Sequence, residues 1–242
     1  MPTTATLTRH PVTLARVSGL AYVAIILCGI FAQMAVRGSL IDWQSADATA
    51  ELIQSRNGLF RLGLLADFLV FALDIVLAVT FYRLLAPVDR GIALFALSVR
   101  LVMSGVLVTA LLAQTAPLLL LGDSAIAGQF EPATANTLAL TFLGLHNEGY
   151  ILGLMLFGVY GCALGILLAR SGYFPRFLGI LMGLSGLSYL ALGLVHFGFP
   201  ALSGLGGLLL LPAALPEFVF AGWLLIAGLS RRRWTERYEP AD

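Results

Sequence analysis

Apolar residues dominate this chain in long runs, each closed by a short polar, proline or glycine break. A helix needs about 20 mostly apolar residues to cross the bilayer core. By that measure residues 14–36, 60–82, 92–121, 149–169, 177–195 and 215–229 predict spans. The fold class is therefore all-α, a polytopic transmembrane helix bundle of six spans, with seven as the alternative count. Residues 14–229 form the bundle, 1–13 a cytoplasmic N-terminal segment and 230–242 a cytoplasmic basic tail. Both termini are placed in the cytoplasm.

The breaks refine this outline. Pro87 with Asp89, Arg90 and Gly91 predicts a short turn, and RSGYFPR at 170–176 a tight one. The run 92–121 exceeds what a bilayer requires, which predicts a tilt or a break near Pro117. In the polar loop 37–59, DATAELIQS predicts an interfacial helix with Asp47 as N-cap and Ala50, Leu52 and Ile53 on its apolar side. Residues 133–169 are helical in pattern, but His146, Asn147, Glu148 and Gly149 interrupt them. That predicts a lateral or partly inserted segment at 133–146 ahead of the span. Residues 197–211 read as an apolar, glycine-rich loop, and Pro212 and Pro216 as a disruption that frees carbonyls just before Glu217. Gly179, Gly183, Gly186 and Gly193 suit close helix contact.

The run 60–82 is the most informative, because it carries Asp67 and Asp74 inside an otherwise apolar span. Seven residues is two helical turns, so the two carboxylates share a face roughly 10 Å apart along the axis. A carboxylate at mid-span costs about 3 kcal/mol or more to insert, so that face turns to protein or water.

Composition agrees with the pattern: 59% of residues are hydrophobic and 11% charged, far from a soluble domain's quarter charged. The net charge of +1 gives no case for nucleic acid. All 14 basic residues are Arg. Cys28 and Cys162 lie in apolar segments and read as packing residues rather than a disulfide. The first apolar run is too long for a cleaved signal and is expected to stay as a signal-anchor helix. Arg9, Arg16, Arg83, Arg90, Arg170, Arg176, Arg231, Arg232, Arg233 and Arg237 fall on one side of the six-span topology. Arg37 and Arg56 fall on the other, with Arg61 near the membrane edge. That is the positive-inside distribution.

A rise of about 1.5 Å per residue gives depths from the cytoplasmic arginines. Asp74 and Arg100 come out at roughly 14 and 15 Å, near mid-membrane on successive spans, and are expected to pair. Asp67 and Glu217 lie at roughly 24 and 21 Å; Asp67 has only Arg61 nearby, on another face. His146, Glu148 and His196 fall at about 30 Å or beyond, on the outer rim. Asp67, Asp74, Arg100, His146, Glu148 and Glu217 are the candidate ligand-binding residues of an outward-opening pocket. A structural ion pair, a solvated rim and a helix cap account for the same residues without any ligand. His10 lies outside the membrane, and Tyr22, Tyr150 and Tyr189 read as core or interfacial aromatics.

The opening ARVSGLAYVAIILCGIFAQ, the segment FRLGLLADFLVFALDIVLA followed by FYRLLAPVDR, LFALSVRLV, and the block LHNEGYILGLMLFGVYGCALGILLARSGYFPRFLGILM carry a family pattern, with a Glu near the last span. The chain resembles the bacterial membrane proteins grouped as domain of unknown function 4386. The resemblance implies a multi-span helical protein of the bacterial inner membrane and no substrate.

The chemistry on offer is limited. There is no Gly-rich phosphate loop, HExxH or nucleophile motif, and the histidines do not make a zinc set, so no cofactor and no metal is expected. Membrane lipids are the expected partners, with a small amphipathic or lipid-derived ligand and an oligomer left open. Binding or sensing comes first among function classes. An integral-membrane enzyme using paired carboxylates as acid and base, of isomerase or cyclase type, is the alternative. A proton-coupled transporter is disfavoured by the missing inverted repeat. Reporter fusions test the topology: Ala46 and Ala127 should report outside, and Val88, Gly172 and Tyr238 inside. Opposite sides for Val88 and Gly172 would refute six spans.

Overall fold

The computed structural model describes residues 10–122 and 124–238, without the side chains of Pro200 and Ser203. Arg9, Asp123 and the tail beyond Tyr238, which entered the charge and segment expectations, lie outside the described residues. The described residues form helices and turns and no strand. The helices are α1 Pro11–Leu40, α2 Ala46–Ser55, α3 Asn57–Leu85, α4 Arg90–Leu120, α5 Pro132–Ser171, α6 Arg176–Gly198, α7 Gly206–Ile226 and α8 Arg231–Tyr238. All but α2 and α8 are long and apolar enough to cross a membrane, which settles the count at six among the described residues. Large apolar side chains stay exposed along these helices, such as Leu65, Phe68, Ile180 and Leu187. In water that surface would be unstable; in lipid it is solvated.

Three expectations need correction. The segment 133–146 is not lateral: α5 runs unbroken for 40 residues, about 60 Å, twice the hydrocarbon thickness. The His146–Gly149 stretch does not break it, because His146 bonds sideways to the Ala110 carbonyl and Gly149 packs on the Ala110 methyl. Of the tilt or break expected near Pro117, the break is absent, since Pro117 lies within the last turn of a continuous α4. Residues 197–211 are not one loop, since a short 3₁₀ turn at Pro200–Leu205 leads into α7, which contains Pro212 and Pro216. The prolines remove the donors that would serve the Leu208 and Pro212 carbonyls. The Ser185 hydroxyl, donating to the Ala213 carbonyl at 2.5 Å, adds a side-chain donor at this point.

The chain divides into two compact units. The first comprises Met1–Ala24, Leu73–Ser104 and Gly153–Asp242. Its tightest seam is between α5 and α6. A Cβ on Gly165 would lie 2.7 Å from the Gly179 carbonyl oxygen, and one on Gly186 would lie 2.6 Å from the Cys162 nitrogen. Glycine is required there because backbone meets backbone. Gly193 meets the Met155 side chain rather than backbone, and a Cβ on Gly183 would enter open space. Gly19 lets α1 approach the Leu225 backbone of α7. Tyr22, Phe81 and Phe220 stack edge-on or tilted in the core. Tyr173, in the turn after α5, donates its hydroxyl to the Leu84 carbonyl at 2.5 Å and meets the ring of Trp234 in α8.

The second unit comprises Ile25–Ala72 and Gly105–Leu152. Its core is Val36, Leu40, Ile53, Phe60 and Leu143. The α2 N-cap is Ser45, accepting from the Ala48 N–H at 3.1 Å, and not Asp47. Asp47 lies in the first turn and accepts from Asn136 of α5 at 2.8 Å. Ala50 and Ile53 are buried as the pattern predicts. Within α1, residues Phe31–Arg37 are π-helical, so their backbone bonds close over one extra residue per turn.

The glycine seam gives a paired test. Gly179→Ala should destabilise the protein in detergent by about 2 kcal/mol, since its methyl meets fixed backbone. Gly183→Ala should leave the melting temperature unchanged. Equal effects would mean that the seam does not limit the α5–α6 approach.

Candidate functional site

The polar residues inside the spans gather into one cluster in each unit. In the first unit, Arg100 of α4 donates from Nε and Nη2 to Asp74 of α3. The pairing expected from matched depth is therefore present. Arg100 is fully buried, and its guanidinium also lies over the rings of Tyr160, at 4.6 Å from the centroid, and of Tyr22 and Phe157. The aromatic faces spread part of the positive charge where no water reaches. Nη1 of Arg100 and the Tyr160 hydroxyl complete no well-aligned hydrogen bond.

Glu217 of α7 is half-buried in this unit. One carboxylate oxygen accepts from the Tyr22 hydroxyl at 2.9 Å and the other from Tyr189 at 2.7 Å. Tyr22 and Tyr189 are thus more than core aromatics: each supplies a hydroxyl to an acid in the membrane. Nearby, Ser18 donates to Thr80 at 2.9 Å, joining α1 to α3.

In the second unit, Asp67 has a partner that the sequence expectation missed. Arg37 of α1 donates from Nη1 to Asp67 of α3 and, at 3.3 Å, to the amide oxygen of Gln114 in α4. Its Nε donates to Gln33 at 2.8 Å. Arg37 was placed in an outer loop because the apolar run ends at Val36. The helix in fact continues to Leu40, and the π-helical turns carry Arg37 inward, where it is 8% exposed. Gln114 is fully buried, and an amide within an apolar run was a visible signal. Nη2 of Arg37 is buried and lacks a hydrogen-bond partner among the described residues, and Nε2 of Gln114 faces Asp67 without a well-aligned hydrogen bond.

His146 is also buried, which overturns its placement on a solvated rim. Its Nδ1 lies 3.0 Å from the Ala110 carbonyl and must carry the proton, which in a neutral ring leaves Nε2 as the acceptor. Its ring is 6.0 Å from that of Tyr150, over which the Arg37 guanidinium sits at 5.7 Å. Glu148 is half-buried, and two positions along the helix places it on another face from His146. His196 is exposed and packs edge-on against Phe197. The six candidates therefore divide evenly, with Asp74, Arg100 and Glu217 in the first unit and Asp67, His146 and Glu148 in the second. Among the described residues no three His, Cys, Asp or Glu side chains converge to hold a metal ion.

Six apolar spans with paired arginine–carboxylate clusters among them define a multi-pass helical membrane protein. The chain belongs to the family described as domain of unknown function (DUF4386), whose family model matches residues 17–228. It is also similar to an uncharacterized protein of Archaeoglobus fulgidus, 29% identical over 161 residues, which cover 66% of this chain and 80% of the relative. No solved structure matches the chain significantly.

Losing one partner of a buried ion pair leaves the other charge uncompensated, at about 3–5 kcal/mol. Arg100→Ala should therefore strip folded protein from membranes, as measured by the detergent-extracted, monodisperse yield. Asp74→Asn combined with Arg100→Gln should recover a substantial part. A double variant as poor as Arg100→Ala would show that the pair does not set stability.

Proposed function

We propose that this protein binds the polar end of a small amphipathic or lipid-derived ligand at the Arg37–Asp67–Gln114 cluster of the second unit. The observation that carries this reading is the buried Arg37 Nη2, which among the described residues has no acceptor and only one aromatic ring nearby, where Arg100 has three. More than nine in ten buried polar groups find a partner, so this guanidinium N–H calls for an oxygen from outside the chain, with the poorly aligned Gln114 amide beside it. A carboxylate, carbonyl or phosphate oxygen would satisfy both donors. His146 and Tyr150 supply the neighbouring polar and aromatic groups. A π-helical segment carrying the key arginine adds support, because such segments recur at functional sites.

The positive-inside rule puts the ends carrying Arg83, Arg90, Arg170, Arg176 and Arg231–Arg233 in the cytoplasm. Arg37 is three residues from the end of α1, so its cluster then opens outward. The cell membrane of a bacterium is the compartment in which we place this arrangement. Asp74, Arg100 and Glu217 serve the scaffold in this reading. Arg100 and Asp74 hold α3 to α4, and the tyrosine-bound Glu217 ties α7 to α1 and α6.

Gln114→Leu tests the reading. Losing a poorly aligned donor and one long hydrogen bond should leave detergent stability within about 1 kcal/mol of wild type. Small molecules that co-purify with wild type, read by native mass spectrometry, should fall at least tenfold. Unchanged co-purifying species, with Arg37→Met equally unchanged, would refute a ligand at this cluster.

A further inference from the structure

The first unit carries a second feature that the buried clusters do not use. A cleft of about 650 Å³ opens between the α5–α6 turn and α8. Arg170, Arg176, Arg233 and Arg237 line it, and among the described residues no acidic one does. Glu236, the acid of α8, is engaged with Arg232 at 3.2 Å. The arginines are held in place. Arg237 donates to the Ser171 carbonyl at 3.0 Å and Arg233 to the Gly172 carbonyl at 3.3 Å. Gly172 has φ +76°, and a Cβ there would come within 2.4 Å of Arg237 Nη1, so only glycine admits this approach. Trp234 is buried and stacks edge-on against Tyr173, which docks α8 on the turn. The first turn of α6 also meets the cleft at Pro175 and Arg176, with no side chain capping its N–H groups. Those donors and the helix dipole favour an anion at the same place.

A narrower groove of about 200 Å³ shares Pro175 and Arg233 with the cleft and continues past Tyr173 to Trp223, Ala227 and Leu229. Phe177 packs on Trp223, and Phe177 and Ile180 are exposed on the lipid-facing side of α6. Four guanidiniums and a helix N-terminus match a phosphate, and the apolar groove alongside matches glycerol and acyl carbons. Free phosphate would use only the first part.

We propose that this arginine cleft is a binding site for the phosphate headgroup of an anionic phospholipid of the surrounding leaflet. The site is independent of the ligand reading above and holds whether or not that reading stands. Each basic residue near a membrane surface contributes roughly a fivefold factor in affinity for anionic lipid.

The test uses the full chain in phosphatidylcholine nanodiscs doped with phosphatidylglycerol, with bound lipid counted by native mass spectrometry. Wild type should retain phosphatidylglycerol adducts over phosphatidylcholine. Arg170→Gln with Arg176→Gln should lose them by about 25-fold, two such factors. Arg16→Gln removes charge from an exposed arginine that lines neither the cleft nor the groove and should retain the adducts. Equal loss in Arg16→Gln and either single cleft variant would mean diffuse surface attraction and overturn the site. Stabilisation of detergent-solubilised wild type by inorganic phosphate equal to that by phosphatidylglycerol would overturn the lipid assignment. If the double variant fails to fold, Arg233→Gln alone carries the test, with a loss of about fivefold expected and no loss refuting the proposal.

Discussion

A guanidinium or carboxylate in the hydrocarbon core costs several kcal/mol unless an opposite charge meets it with good geometry, and this cost shapes the interior of both units. Asp67 and Asp74 on α3 are tolerable because Arg37 reaches the first and Arg100 the second. Those partners come from α1 and α4, so α3 is fixed by charge to the spans that precede and follow it. The aromatic rings over each guanidinium and the tyrosine hydroxyls on Glu217 extend the same solution to charge that ion pairing leaves exposed to a low dielectric.

The two clusters differ in what surrounds the guanidinium. Each leaves one arginine nitrogen without a hydrogen-bond acceptor among the described residues, Nη1 of Arg100 and Nη2 of Arg37. Arg100 is enclosed by Asp74 and three aromatic rings. Arg37 spends a single Nη1 on both Asp67 and Gln114 and has the Tyr150 ring at 5.7 Å. Gln114 belongs to that network, since its amide oxygen accepts from Arg37 and its amide nitrogen faces Asp67.

Spans and the central pair were legible because they depend on length and on helical rise alone. Asp74 and Arg100 sit at matching distances from the turn that joins their helices, so depth arithmetic found them. Arg37 was not legible, because its inward turn depends on π-helical residues that no hydrophobic period announces. The continuity of α5 through His146 goes with a sideways bond to Ala110, and at the two prolines of α7 the Ser185 hydroxyl of α6 bonds the Ala213 carbonyl. Both are tertiary contacts that override a local breaker. The arginines of the α5–α6 turn looked like ordinary turn chemistry until α8 folded back onto them.

A double-mutant cycle on Arg37 and Asp67 tests most directly whether pairing governs this interior. Arg37→Met and Asp67→Leu, each followed by thermal unfolding in detergent, should each cost about 3–5 kcal/mol. The double variant should cost far less than their sum, with a coupling above about 1 kcal/mol. Additive losses would contradict the account, because they would mean that each charge is stabilised by something other than its partner.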